Sequence, residues 1–394
     1  YYSNLIGGHI MKKYLLTAFM FLIITFPGCS SSQTSVMNEE TTNNIVVANE
    51  LLKSKIDEVV ESSNFKGVAS VYYNGENIWC TENGFADREN ETNNSVDHIY
   101  RIGSCTKQFT ATGICILYDQ GKLDFGSTID KYFKGTKYGN KVTIKDLLNM
   151  TSGIPNFSGS DDSLYEESNL GFKISPDNTQ EDNKASIEKW ILSQKLSFEP
   201  QKKFEYSNCN YFLLGRIIEI VSGEKYEDFI AENIFEPLDM RSTSFDNDDL
   251  TTKGYIYDSV KTEEQLLKEQ DTQWIFYPGA EFGASGINSS IEDLYKWING
   301  LLNSEIIKND TYEMMTETNN LGYGYGLFTN DNICFHDGAW GSYESEIIFS
   351  KDKKYMSIIL TNYYHRDFYG GIGQLIYNTI GAVSYTHLTL PTNS

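Results

Sequence analysis

The sequence predicts an α+β fold: one antiparallel sheet built from both chain ends, flanked by helices, with a mostly helical domain inserted between them. Three observations predict it. Near the start, a helical pattern gives way to two alternating runs around Asn74-Gly75. Near the end, four short runs rich in β-branched and aromatic residues precede a second helical pattern. Between them, over residues 125–274, apolar residues recur mostly at helical spacing.

Ile45, Ala48, Leu51, Leu52, Ile56, Val59 and Val60 recur at the spacing of one helix face. The stretch "GVASVYYNGENIWCTENGFADRE" follows, and Asn-Gly between alternating residues is a strong hairpin signal. In the middle, "TIKDLLNM", "ASIEKWILSQK", "YFLLGRIIEIVSG" and "YEDFIAENIF" read as helices. The acidic stretch Gly159–Ser186 interrupts them, and loops of such length in a compact domain are usually either functional or mobile. Towards the end, "YGYGLFTN", "NICFHDG", "YESEIIFS" and "YMSIILTNY" read as strands and "GGIGQLIYNTIGA" as a helix. The expected domains are therefore a sheet domain from residues 45–124 and 275–382, and a helical domain from residues 125–274.

The two ends are expected to lie outside the fold. Residues 1–10 resemble translated upstream DNA. Met11 opens "MKKYLLTAFMFLIITFPGCSSS", two lysines and an apolar run shorter than the roughly 20 residues of a membrane span, which reads as a secretory signal over 11–28. Cys29 after Gly28 resembles a lipobox, which implies lipidation of Cys29 and anchorage to the outer face of the bacterial cytoplasmic membrane. Residues 29–44 are polar and read as a tether. Residues 383–394, "VSYTHLTLPTNS", resemble the translation of a sequencing adapter.

The net charge of −22 argues against nucleic acid as a partner, because a phosphate backbone would repel it. Besides Cys29 there are Cys80, Cys105, Cys115, Cys209 and Cys334, an odd set with no C-x-x-C, so no disulfide framework is indicated. Cys105, Cys209, Cys334 and His336 invite a zinc reading. Cys105 would sit about 100° around a helix from Ser104, so buried apolar thiols are the better account, and neither a metal nor a cofactor is expected. "GYGYG" lacks the spacing of a dinucleotide loop, no G-x-S-x-G elbow is present, and His98 and His365 read as surface or core residues.

Three short motifs carry chemistry. In "SCTK", a helix starting at Ser104 places Lys107 one turn on, on the same face. A serine hydroxyl needs a base, and a lysine whose pKa is depressed by burial can serve. In "EYSN", Tyr206 near an ammonium could be held as phenolate, and Asn208 could hold a substrate amide and fix the lysine. In "FHDGA", His336-Asp337-Gly338 ends a predicted strand, where glycine lets a substrate lie along the edge.

In order and separation, S-x-x-K, Y-x-N and H-x-G resemble the penicillin-recognising serine hydrolases: class C β-lactamases, D-Ala-D-Ala carboxypeptidases and related esterases. "VTIKDLLNMTSGIPNF", "NYFLLGRIIEIVSGEKYEDFIAENIFEPLDMRST" and "GASGINSSIEDLYKW" are also similar to family segments. The resemblance implies a β-lactamase/transpeptidase-like fold. It implies that Ser104 attacks a carbonyl, that Lys107 and Tyr206 move its proton, and that the N–H groups of Ser104 and Ala339, next to Gly338, form the oxyanion hole. His336 would face the substrate's carboxylate or leaving group. The implied substrate is a D-amino-acid peptide of peptidoglycan type, or an ester. A β-lactamase and a penicillin-binding sensor that acylates without turnover are the alternatives. Two departures from the family pattern, Gln201 after Pro200 and the missing fixed cation in the third motif, argue against efficient β-lactam hydrolysis.

Overall fold

A computed structural model describes residues 53–365 apart from 59, 63–64, 157–173, 176, 246–248, 259–262, 267–278, 281 and 318–320, together with residue 378. Cys29, both expected end segments, the start of the first helical pattern and most of the last one lie outside the described residues. Residues 53–58 and 60–62 are helical.

The main sheet has six antiparallel strands in the order β2-β1-β12-β11-β10-β9. They are β1 (Gly67–Tyr73), β2 (Glu76–Asn83), β9 (Phe328–Thr329), β10 (Ile333–Trp340), β11 (Tyr343–Ser350) and β12 (Tyr355–Thr361). The β1–β2 hairpin turns at Asn74 and Gly75, with φ of 51° and 82°, the left-handed pair a two-residue turn needs. β1 then pairs with β12, Val68 opposite Leu360 and Tyr73 opposite Tyr355, so the sheet joins both chain ends. Three smaller sheets flank it: β3 (Phe85–Asp87) with β4 (Thr92–Asn93); β5 (Tyr100–Arg101) with β8 (Asn288–Ser289); and β6 (Tyr255–Asp258) between β7 (Glu263–Leu266) and β13 (Tyr363–His365). β13 runs parallel to β6. β6 and β7 thus place strands inside the span 125–274.

Alternation along β10 and β11 sorts their residues between two cores. Cys334 and Ile347 face a large core shared with the helices. Phe335 and Ile348 face a smaller one with Ile56, Val60 and Trp79. The helix Thr106–Asp119 is buried from Thr106 to Leu117, with Lys107, Gln108 and three threonines among the buried residues. The helix Asn208–Ser222 packs beside it and stops at Gly223, φ 81°, a left-handed C-terminal cap.

Two elements differ from expectation. "YGYGLFTN" supplies only Phe328 and Thr329 to the sheet, because the glycines before them turn, Gly322 and Gly326 having φ of 70° and 73°. The end of the acidic stretch is helical: the helix Gln180–Ser193 starts there, with the Thr179 hydroxyl accepting from Asp182 N–H, a cap that its polar first turn hid. Among the described residues, no helix is long and apolar enough to cross a membrane.

Candidate active site

Ser104 lies in a 3-10 turn, Gly103–Cys105, that leads into the helix Thr106–Asp119. The bend brings Lys107 under it, and the Lys107 Nζ donates to Ser104 Oγ at 2.9 Å and to the Ala284 carbonyl at 2.9 Å. Lys107 is fully buried. Burial lowers its pKa to about 7, with Cys105 and Asp337 pulling the other way. Near neutral pH a large share of Lys107 is therefore free amine, a base already in contact with the hydroxyl it would deprotonate.

Tyr206 and Asn208 enter from the start of the helix Asn208–Ser222. The Tyr206 hydroxyl lies close enough to Ser104 to influence its proton, and its ring centre lies 5.0 Å from Lys107 Nζ. Its loop is fixed from below. Met150, itself at φ 58°, accepts through its sulfur from Ser207 N–H at 3.4 Å and Asn210 Nδ2 at 3.2 Å. Asn208 N–H donates to Asn156 Oδ1 at 2.8 Å, while Asn208 Oδ1 is buried with no hydrogen-bond partner among the described residues. That oxygen is available to a substrate N–H.

The third motif runs along β10 against the Ser104 turn. A β-carbon on Gly338 would stand 2.9 Å from Ser104 N, and one on Gly103 would stand 2.7 Å from Ala339 N. Only glycines allow the turn and the strand to approach this closely. The same approach sets the Ser104 and Ala339 N–H groups on adjoining backbone segments. The Cys105 thiol donates to the His336 carbonyl at 3.2 Å and locks the turn to the strand.

A family model described as Beta-lactamase matches residues 52–374. This chain belongs to the beta-lactamase family. A penicillin-binding protein of Bacillus subtilis is 27% identical over 333 residues, 79% of this chain and 71% of that protein. Protein flp of Staphylococcus aureus is 28% identical over 335 residues, which span 79% of this chain but only 63% of that protein's length. The crystal structure of the D-amino acid amidase of Ochrobactrum anthropi, solved with D-phenylalanine, superposes with a TM-score of 0.69 at 22% identity, covering 86% of this chain and 99% of that one. Membership gives the β-lactamase/transpeptidase-like fold and the serine-hydrolase class.

Within this beta-lactamase-family site, two side-chain roles differ from those expected, and the state of a third is fixed by its surroundings. Tyr206 is not held as phenolate: loss of water around its hydroxyl raises its pKa well above 10, so it is a phenol that can pass a proton on. Asn208 does not fix the lysine; the Ala284 carbonyl does. His336 offers a substrate carboxylate no positive charge. It is buried, its Nδ1 lies 2.6 Å from the Asp337 carbonyl and its Nε2 lies 3.1 Å from the Tyr323 hydroxyl. A carbonyl only accepts, so Nδ1 carries the proton and Nε2 accepts from Tyr323. Burial, with Lys107 nearby, lowers the His336 pKa to about 3, so it is neutral at physiological pH. Tyr206, Phe328, Tyr323 and His336 pack together as an aromatic wall, with Phe328 and His336 ring centres 5.3 Å apart.

Proposed function

We propose that this chain hydrolyses D-amino-acid peptides or esters through an acyl-serine at Ser104. The observation that carries this reading is the fully buried Lys107, its Nζ 2.9 Å from Ser104 Oγ. The free amine of Lys107 takes the hydroxyl proton while Oγ forms a bond to the substrate carbonyl carbon. The developing oxyanion lies against the Ser104 and Ala339 N–H groups, and one such donor is typically worth about 10²–10³ in rate. The leaving nitrogen or oxygen departs with a proton delivered through the Tyr206 phenol, which Lys107 replenishes. Water then attacks the acyl carbonyl by the same route, its proton passing to Lys107, and Ser104 is restored. Asn208 Oδ1 orients a substrate amide.

The neutral His336 and the absence of a fixed cation in the third motif favour esters, and peptides with no free carboxylate at the leaving end, over β-lactams, whose carboxylate needs positive charge. A panel of nitrocefin, a D-Ala-D-Ala peptide with an amidated C-terminus and p-nitrophenyl butyrate tests the substrate class. Turnover of the peptide or ester above nitrocefin supports the reading, and faster nitrocefin turnover overturns it in favour of a β-lactamase. A fluorescent penicillin that labels Ser104 persistently, with no turnover of any of the three, makes the protein a sensor.

The chain is also proposed to be exported and held at the outer face of the cytoplasmic membrane through lipid on Cys29, because "FPGC" follows an apolar run. Cys29→Ser should release the protein from membranes, since stable anchoring takes two lipid chains. Wild-type protein free in the medium with Cys29 unmodified would remove this part.

A further inference from the structure

Asp337 lies between His336 and Gly338, two residues before Ala339, and Glu344 pairs with Ala339 across β10 and β11. Strand alternation puts Asp337, Ala339 and Glu344 on one face of the sheet. The opposite face belongs to Ser345, whose hydroxyl donates to the Ile102 carbonyl at 2.7 Å. Asp337 and Glu344 are diagonal neighbours flanking the Ala339 position, and Asp337 is close enough to Lys107, Tyr206 and Glu344 to act on the charge of each.

Neither carboxylate has an ion-pair partner among the described residues. Lys107 is already held by Ser104 and Ala284. Glu344 Oε1 is buried with no hydrogen bond among the described residues. Burial raises the pKa of Asp337 to about 6 and, helped by Asp337 and Glu346, that of Glu344 to about 8. Both side chains are part-buried, and a carboxylate drawn out of water without a cation is disfavoured. The fold does not require them, since Phe335 and Ile348 on the same face join an apolar core. Among the described residues, Lys107 is the cation that acts on the charge of Asp337, and none acts on Glu344.

We propose that Asp337 and Glu344 are specificity residues that hold a cationic group of the substrate, an ammonium within a few bonds of the scissile carbonyl. The proposal rests on the acyl-serine reading and names its substrate class. The strand that would need a cation to read a carboxylate carries two acids instead, so substrates ending in a free carboxylate at that place are repelled and ammonium-bearing ones are drawn in.

Two substrate pairs test this and separate the two sides of the carbonyl. D-alanine p-nitroanilide against its N-acetyl form places the ammonium on the acyl side. Butyrylthiocholine against 3,3-dimethylbutyl thiobutyrate places the cation on the leaving-group side. In at least one pair the cationic member should be favoured by roughly tenfold to a hundredfold in kcat/KM, mostly through KM, the range of a charge-assisted contact. The isosteric double variant Asp337→Asn, Glu344→Gln should bring that ratio close to one, and each single variant should lower it. The ratio is the readout because losing Asp337 also changes Lys107, which affects all substrates alike. If the double variant fails to fold, tetramethylammonium and D-alaninol as inhibitors of p-nitrophenyl butyrate hydrolysis by the wild type supply the second measurement. Competitive inhibition by at least one supports the proposal. Ratios near one in both wild-type pairs, a ratio unchanged in the folded variants, or no inhibition by either cation overturns it. Ester turnover that survives Ser104→Ala would instead be a failure of the acyl-serine reading.

Discussion

Lys107 Nζ is gripped between Ser104 Oγ and the Ala284 carbonyl, 2.9 Å from each. The grip fixes the amine's direction while burial lowers its proton affinity, so one residue supplies both the geometry and the pKa of a general base.

The pH dependence follows. Burial lowers the Lys107 pKa to about 7, and the base is the deprotonated form. For a neutral ester, kcat/KM should rise with pH through about 7 and level off above it. Asp337 raises the Lys107 pKa, so Asp337→Asn should move the rise to lower pH. Rates across pH 5–9.5 check both; a rise centred near 10 would mean that Lys107 is not the base.

Lys107→Ala and Tyr206→Phe should each slow acylation by several orders of magnitude, and the double variant should be little slower than Lys107→Ala. Both residues serve one proton path, and residues that act as a unit give strongly non-additive losses. Single-turnover acylation rates measure this. Losses that multiply would assign Tyr206 a separate task.

The parts of this site that were legible in the sequence are those carried by side-chain identity and spacing. Asn74-Gly75 specifies its own turn, and Ser104 and Lys107 at i and i+3 need only one helical turn to meet. Tyr206 and His336 come to the same place through family resemblance, not through local pattern. Ala284 left no signal because it acts through its carbonyl, which every residue has. Tyr323 was hidden because it reaches His336 only through the glycine turn before β9, which folds it back against Phe328. The charge state of Tyr206 was misjudged because it depends on burial, which is set by distant elements that cover it.

His336 should stay neutral, with its proton on Nδ1, down to at least pH 5, because burial lowers its pKa to about 3. The usual unfolded value is about 6.5. Between those two values the unfolded chain binds the proton and the folded chain does not, so this residue's contribution to stability is lost as pH falls through that window. Nitrogen chemical shifts of the imidazole across pH 4–8 report it directly. An imidazole that titrates near 6.5 would let His336 offer positive charge to a substrate carboxylate.

Thr110 is expected to act as a positioning residue. Its hydroxyl donates to the Gly283 carbonyl at 2.7 Å and meets the Tyr226 hydroxyl at 2.6 Å, which holds the segment that presents the Ala284 carbonyl to Lys107. Thr110→Val keeps the shape and removes those bonds, at a cost of about 1–3 kcal/mol in stability. The ammonium form of Lys107 should then be less well held, so the rise in kcat/KM should also shift to lower pH. A stability loss with an unmoved pH profile would leave Thr110 a merely structural residue.

The central claim, that Ser104 is acylated during turnover, is tested most directly by intact-protein mass spectrometry after brief reaction with a p-nitrophenyl ester, followed by peptide mapping. The account predicts one acyl group on Ser104 that decays as substrate is exhausted, with no adduct and no turnover in Ser104→Ala. An acyl group on another residue, or turnover that persists in Ser104→Ala, would contradict it.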